Sequence, residues 1–183
     1  IVGAYRVCRG ADVLAARGQK GLYTTSLFEF APTVLAHAAV RAAVAQAREL
    51  APELPLFAGG KSFGGRMTSQ AQALAPLPDV RGLMFFAFPL HPAGKPSLER
   101  AAHLRDVELP MLFLQGSRDA LAELPLLEGV IDGLKPRATL TLAEDADHSF
   151  HVPAKTGSKD AEVLAALLDT ARDWLFSQSR NQG

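Results

Sequence analysis

The chain predicts an α/β protein: a three-layer sandwich on a mostly parallel sheet, as a single domain over residues 1–183. Three observations predict it. Apolar runs at 55–60, 80–88 and 109–116 are bounded by Pro or Gly and show no alternation, as strands covered on both faces do. Between them lie segments with apolar residues at i, i+3, i+4 spacing, and repeated strand–helix alternation builds parallel βαβ units. With 183 residues, 48% of them hydrophobic, one domain can bury a sizeable core.

Taken in order, "GLYTTSLFEF" (21–30) is a strand candidate with little punctuation. "PTVLAHAAVRAAVAQAREL" (32–50) carries helical spacing and strong helix formers. "PLFAGG" (55–60) follows a Pro, ends in glycines and reads as strand. "GGRMTSQAQALA" (64–75) is the next helix, and "VRGLMFFAF" (80–88) a strand stopped by Pro89. The stretch 88–110, "FPLHPAGKPSLERAAHLRDVELP", is a long, Pro-rich, polar connection, and long connections in compact domains are often functional. "LPMLFLQG" (109–116) is a strand and "ALAELPLLEGVIDGL" (120–134) a helix that Pro125 either splits or starts. "RATLTL" (137–142) alternates, as an edge-side strand does. "SKDAEVLAALLDTARDWLF" (158–176) is an amphipathic last helix with Ser158 as its N-cap.

Composition narrows the partners. The 19 basic and 19 acidic residues balance, so neither a nucleic acid nor an anionic membrane surface is expected. Cys8 cannot form an intrachain disulfide framework, fits a reducing compartment, and reads as a small core filler. No apolar run reaches the ~18 residues of a membrane span, and "IVGAYRVCRG" lacks the features of a signal peptide. The expectation is a cytoplasmic protein, its oligomeric state left open.

The stretch "GGKSFGG" (59–65) supports two readings. Gly-Lys-Ser ends a phosphate-binding P-loop, but that motif needs Gly where this chain has Pro55, which has no N–H to offer a phosphate. Gly-x-Ser-x-Gly is also the sequence of a nucleophile elbow: a strand, a tight turn with Ser at its apex, then a helix. All three lie here in order. Gly60 and Gly64, with Gly59 and Gly65 beside them, give strand and helix room to approach. The competing reading is a Gly-rich turn whose Ser merely caps the helix.

A serine hydroxyl needs a base, usually His, and an acid that holds the base in the right tautomer. In an elbow fold they follow in the order Ser, acid, His, each on a loop after a strand. Asp119 follows the strand 109–116 in "GSRDALAE"; His148 follows 137–142 in "AEDADHSFHVP". Singly, Asp119 could cap a helix and His148 could be a surface residue; together with Ser62 they fall in register at the carboxyl ends of strands, where open α/β sheets bind ligands. His151 is the rival base. The backbone N–H of Phe63 would serve as an oxyanion donor. Lys61, Phe88 and His91 are candidate substrate contacts, with Pro89 and Pro92 adding apolar wall; His103 is a pocket-lining or solvated loop residue, and His37 is structural. No HxH or HExxH spacing marks a metal site, and no cofactor is implied.

The segments "GGKSFGGRM" (59–67), "FFAFPLHPAGKPS" (85–97), "HLRDVELPMLFLQGSRD" (103–119) and "DADHSF" (145–150) resemble the α/β-hydrolase superfamily. Within it they resemble the small dienelactone-hydrolase-like group without a large lid, in a bacterial branch related to the testis-expressed and histone-acetyltransferase-complex hydrolase-like proteins. The resemblance covers about 32–176 and implies a minimal α/β-hydrolase fold with Ser62, Asp119 and His148 at the triad positions. It also implies an earlier strand, for which "IVGAYRVC" (1–8) stands, and a His-Gly loop giving a second oxyanion donor. Here "RGAD" (9–12) takes that loop's place, so the N-terminal part is atypical. The expected function is a serine hydrolase acting on a small-molecule ester or thioester; the alternative is a hydrolase-like module that binds a partner or acyl ligand with weak or no turnover.

Overall fold

A computed structural model describes residues 25–180, with side chains from 33 onward. Helix α1 (Thr25–Leu50) leads into strand β1 (Leu56–Lys61), and helix α2 (Phe63–Leu74) leaves it after one residue. Strand β2 (Val80–Phe86) is followed by the long connection, which holds a 3₁₀ helix at Glu99–Asp106. Then come β3 (Met111–Gly116), α3 (Leu124–Leu134), β4 (Ala138–Ala143) and α4 (Asp160–Arg180).

The four strands pair in parallel in the order β1-β2-β3-β4. Alternate residues of the two central strands face opposite ways. Leu83, Phe85, Met111 and Phe113 join Val40 and Val44 of α1, Met67 and Ala71 of α2, and Leu127 and Ile131 of α3 in the larger core. Met84, Leu112 and Leu114 face Leu167 and Ala171 of α4 in the smaller one. Both faces of the sheet are therefore covered, which is why these strands carry no polar alternation. The result is the arrangement expected of an α/β-hydrolase fold, with no large lid among the described residues.

Several boundaries differ from expectation. Residues 25–30 of the strand candidate 21–30 are the first turns of α1, and 21–24 lie outside the described residues, as do 1–8 and 9–12. Strand β2 ends at Phe86, before Pro89, because Ala87 adopts a φ of 53°. Pro125 starts α3 in its first turn and does not split it. At the start of α4, Glu162 accepts from the Lys159 N–H at 3.1 Å, the return half of a capping box, in place of a Ser158 cap.

The connection 88–110 packs inward. Phe88, Leu90, Ala101, Leu104 and Val107 are buried in the larger core. His103 is tied to α2, its Nε2 lying 2.8 Å from Ser69 Oγ, which itself donates to Arg66 O at 2.9 Å. No helix among the described residues is long and apolar enough to cross a membrane.

Candidate active site

The chain turns from β1 into α2 at Ser62, with φ 51° and ψ −121°. A non-glycine residue there holds on the order of 1–3 kcal/mol of strain, which the surroundings must over-determine. Two hydrogen bonds do so: Ser62 N–H donates to Phe86 O at 2.9 Å, and Arg66 N–H to Ser62 O at 3.2 Å. The glycines supply clearance. A Cβ on Gly60 would lie 2.9 Å from Gly64 C and 3.0 Å from Gly65 N, and one on Gly65 would lie 2.8 Å from Gly60 O. Strand and helix backbones are in direct contact, with Ser62 at the apex between them.

Asp119 sits in the turn after β3, with no exposed side-chain surface. Its Oδ1 accepts from the Leu121 N–H at 2.8 Å. Its Oδ2 accepts from His148 Nδ1–H at 2.7 Å and from Gln115 Nε2–H at 2.5 Å. His148 comes from the loop after β4, and Ser62 Oγ–H donates to its Nε2 at 2.8 Å. The tautomer follows from chemistry: an ionised carboxylate only accepts, so the proton sits on Nδ1 and Nε2 is left free to accept from Ser62. Three side chains from three loops thus form one hydrogen-bonded chain.

The loop carrying His148 is shaped locally. Asp147 Oδ1 accepts from the N–H groups of Ser149 at 2.7 Å and His151 at 3.0 Å. Although partial burial pushes the other way, these donors hold the Asp147 carboxyl below its ordinary range. A Cβ on Gly116 would lie 2.4 Å from Ala146 O and 2.5 Å from Asp147 O, so only glycine lets the end of β3 touch this loop. His151, the rival base, points elsewhere: its Nδ1 bonds Asp160 Oδ2 at 2.9 Å, an exposed pair in which the Asp160 hydrogen bond raises the His151 pKa.

Two candidate substrate contacts need correction. Phe88 has no exposed surface and packs edge-on against Phe85 and Phe113, at 5.4 and 5.6 Å between centroids. His91 is equally buried; its Nδ1–H donates to Pro92 O at 2.9 Å, and its Nε2 accepts from the Glu123 N–H at 3.2 Å. His91 is spent on tying the connection to Glu123, past the turn that carries Asp119, and Phe88 on filling the larger core. Lys61 is exposed, with Nζ 5.7 Å from the centre of the Phe150 ring. Phe63, at the first position of α2, is partly exposed, and the Arg66 guanidinium lies 5.6 Å from its ring.

Sequence reasoning missed Gln115. The available signal was one amide side chain near the end of the otherwise apolar run "MLFLQG", at a position buried from water. His37 behaves as expected, with Nε2–H donating to Gln70 Oε1 at 3.3 Å. Among the described residues no three His, Cys, Asp or Glu side chains gather as a metal site would need.

A family model described as an alpha/beta hydrolase domain matches residues 32–176. The chain belongs to that family. Its fold is similar to that of an α/β serine hydrolase without a lid from Xanthomonas campestris, with a TM-score of 0.55 and 25% identity over 76% of this chain and 56% of that one. It is also similar to an α/β serine hydrolase homologue from Coxiella burnetii (TM-score 0.54, 16% identity, 90% of this chain and 64% of that one). A third likeness is to a monoacylglycerol lipase from Paleococcus ferrophilus (TM-score 0.52, 14% identity, 78% and 76%). This α/β-hydrolase chain therefore spans less than two thirds of the first two proteins.

Proposed function

We propose that this α/β-hydrolase is a serine hydrolase that cleaves a small-molecule carboxylic ester or thioester through an acyl-enzyme. The observation that carries the reading is the continuous hydrogen-bonded chain from Ser62 Oγ through His148 to Asp119, with its serine at a strained strand–helix apex. Ser62 Oγ attacks the carbonyl carbon while His148 Nε2 takes its proton. Asp119 holds the ring and stabilises the imidazolium. The tetrahedral oxyanion accepts from the Phe63 N–H, at the N-terminus of α2. Collapse breaks the bond to the alcohol or thiol, which leaves with the proton from His148. A water then gives its proton to His148 and attacks the acyl carbon, releasing the acid and restoring Ser62.

Lys61 is assigned to an anionic part of the substrate or to solvent. The motifs quoted above support a place in the dienelactone-hydrolase-like group, and the cytoplasm is the proposed compartment. The fold similarity to a lidless serine hydrolase is consistent with an open site for small substrates.

The test is a fluorophosphonate probe with short p-nitrophenyl esters as substrates. Wild-type protein should be labelled and turn over ester; Ser62→Ala should lose the label, and kcat should fall by roughly a million-fold where a triad acts as a unit. Folded wild-type protein that neither labels nor turns over would leave the non-catalytic binding module as the better reading.

A further inference from the structure

The side chain of Gln115 touches no reacting group of the proposed chemistry, yet both its ends are committed. Its Oε1 accepts from the Phe88 N–H at 2.8 Å, and its Nε2–H donates to Asp119 Oδ2 at 2.5 Å. The amide has only one workable orientation. A backbone N–H can only donate and a carboxylate can only accept, so flipping the amide would break both bonds. Gln115 and Phe88 are fully buried.

The other end of this link reaches the nucleophile. Phe86 O accepts the Ser62 N–H at 2.9 Å, and Ala87 N–H donates to Leu114 O at 2.8 Å. The left-handed turn at Ala87, with φ 53°, lets three successive residues serve different partners: Phe86 the elbow, Ala87 the neighbouring strand, Phe88 the Gln115 amide. The kink at 86–88 therefore lies between the apex serine and the acid, with one hydrogen bond toward each.

We infer that Gln115 is a positioning residue: it locks the Asp119 carboxylate to the 86–88 kink and so sets the acid, and through it His148, in register with Ser62. The inference rests on the serine-hydrolase reading for its catalytic consequence but not for its geometry. Two donors share Asp119 Oδ2, so the carboxylate cannot rotate without losing the amide or the imidazole. Removing the amide leaves Oδ2 with His148 alone and frees the carboxyl to turn about its remaining anchor at Leu121.

Gln115→Met keeps the length and removes both hydrogen bonds. Folded Gln115→Met should lose about 10- to 100-fold in the rate of fluorophosphonate labelling and in kcat, the cost usual for removing the partner that orients a reactive ligand, with KM unchanged. The far-downfield proton resonance of His148 Nδ1–H should shift or broaden, a change that a generally weakened fold does not produce at temperatures well below melting. Wild-type kinetics together with a wild-type resonance in Gln115→Met would overturn the inference. A measurement on wild-type protein stands apart from any variant: the Gln115 side-chain amide protons should exchange slowly with solvent, and exchange at the rate of a free amide overturns the inference as well. If no serine labels but the resonance still responds to Gln115→Met, the positioning role holds and only the hydrolase reading fails.

Discussion

Gly116 shows how a single missing methyl can govern a site. It ends β3, and a Cβ there would sit 2.4 and 2.5 Å from two carbonyl oxygens of the loop that presents His148. Those atoms are backbone, so they cannot swing aside. Gly116→Ala must push the loop away from the strand, at a cost of about 1–3 kcal/mol for overpacking. The same displacement draws His148 from its 2.8 Å contact with Ser62. We expect at least a ten-fold slower rate of labelling by fluorophosphonate in protein that still melts cooperatively, since misplacement by about 1 Å can cost two orders of magnitude. An unchanged labelling rate would mean that the loop is held by its own turn and not by the strand. At this scale the sequence was legible where position at a strand end carried the signal. That Ser62, Asp119 and His148 would come together could be read from their order and strand-end positions. Gln115 could not, because nothing local shows that a strand glutamine faces a carboxylate 2.5 Å away. Phe88 and His91 differ from expectation because a long connection was expected to border the substrate, whereas both side chains are fully buried.

Among the elements, the strands were the most legible, because burial on both faces leaves uninterrupted apolar runs between Pro and Gly. The helix starts were less so. Residues 25–30 look β-prone but continue α1. The 88–110 connection was the least legible, since its role depends on docking: its 3₁₀ helix places His103 against Ser69 of α2. Burial, and then the nearby Arg66, push the His103 pKa down to about 4; Asp106 pulls the other way, and His37 adds a smaller push down. The folded state therefore binds fewer protons than the unfolded chain between about pH 4 and the unfolded value of 6.5. Stability from this group is complete above that window and is lost as pH falls through it. With a discount for partial exposure, acidification from pH 7.5 to 5 should cost about 1 kcal/mol through His103. His103→Gln keeps a donor for Ser69 without a titrating group. Its melting temperature should fall less over that interval than the wild type's, by about 2–4 °C. Parallel curves for the two proteins would show that the imidazole ionises freely.

For the whole molecule, the sheet divides the interior into two cores with different duties. The larger holds α1, α2, α3 and the long connection; the smaller holds α4 together with Ala146, Phe150 and Val152, which flank His148. Phe150 is 5% exposed and packs edge-on with Phe86 at 6.4 Å between centroids, so the loop bearing His148 rests on the smaller core as well as on the end of β3. Leu127 of α3 and Leu167 of α4 are buried leucines on opposite sides of this division, at 0% and 3% exposure. Truncating either to Ala should cost about 2–5 kcal/mol, set by how far each site can relax. Their effects on the site should differ. Leu127→Ala leaves a cavity away from the His148 loop, so labelling per folded molecule should stay within about two-fold of wild type, as expected for sites without shared partners. Leu167→Ala opens the layer on which Ala146, Phe150 and Val152 rest, and labelling should fall by about ten-fold if His148 acts as the proposed base, since such a group is sensitive to displacement by a fraction of an ångström. Melting curves fix the stability losses, and labelling rates at a temperature where both variants are fully folded separate the two effects. Equal rates at equal stability would show that the smaller core supports the fold without tuning the position of His148.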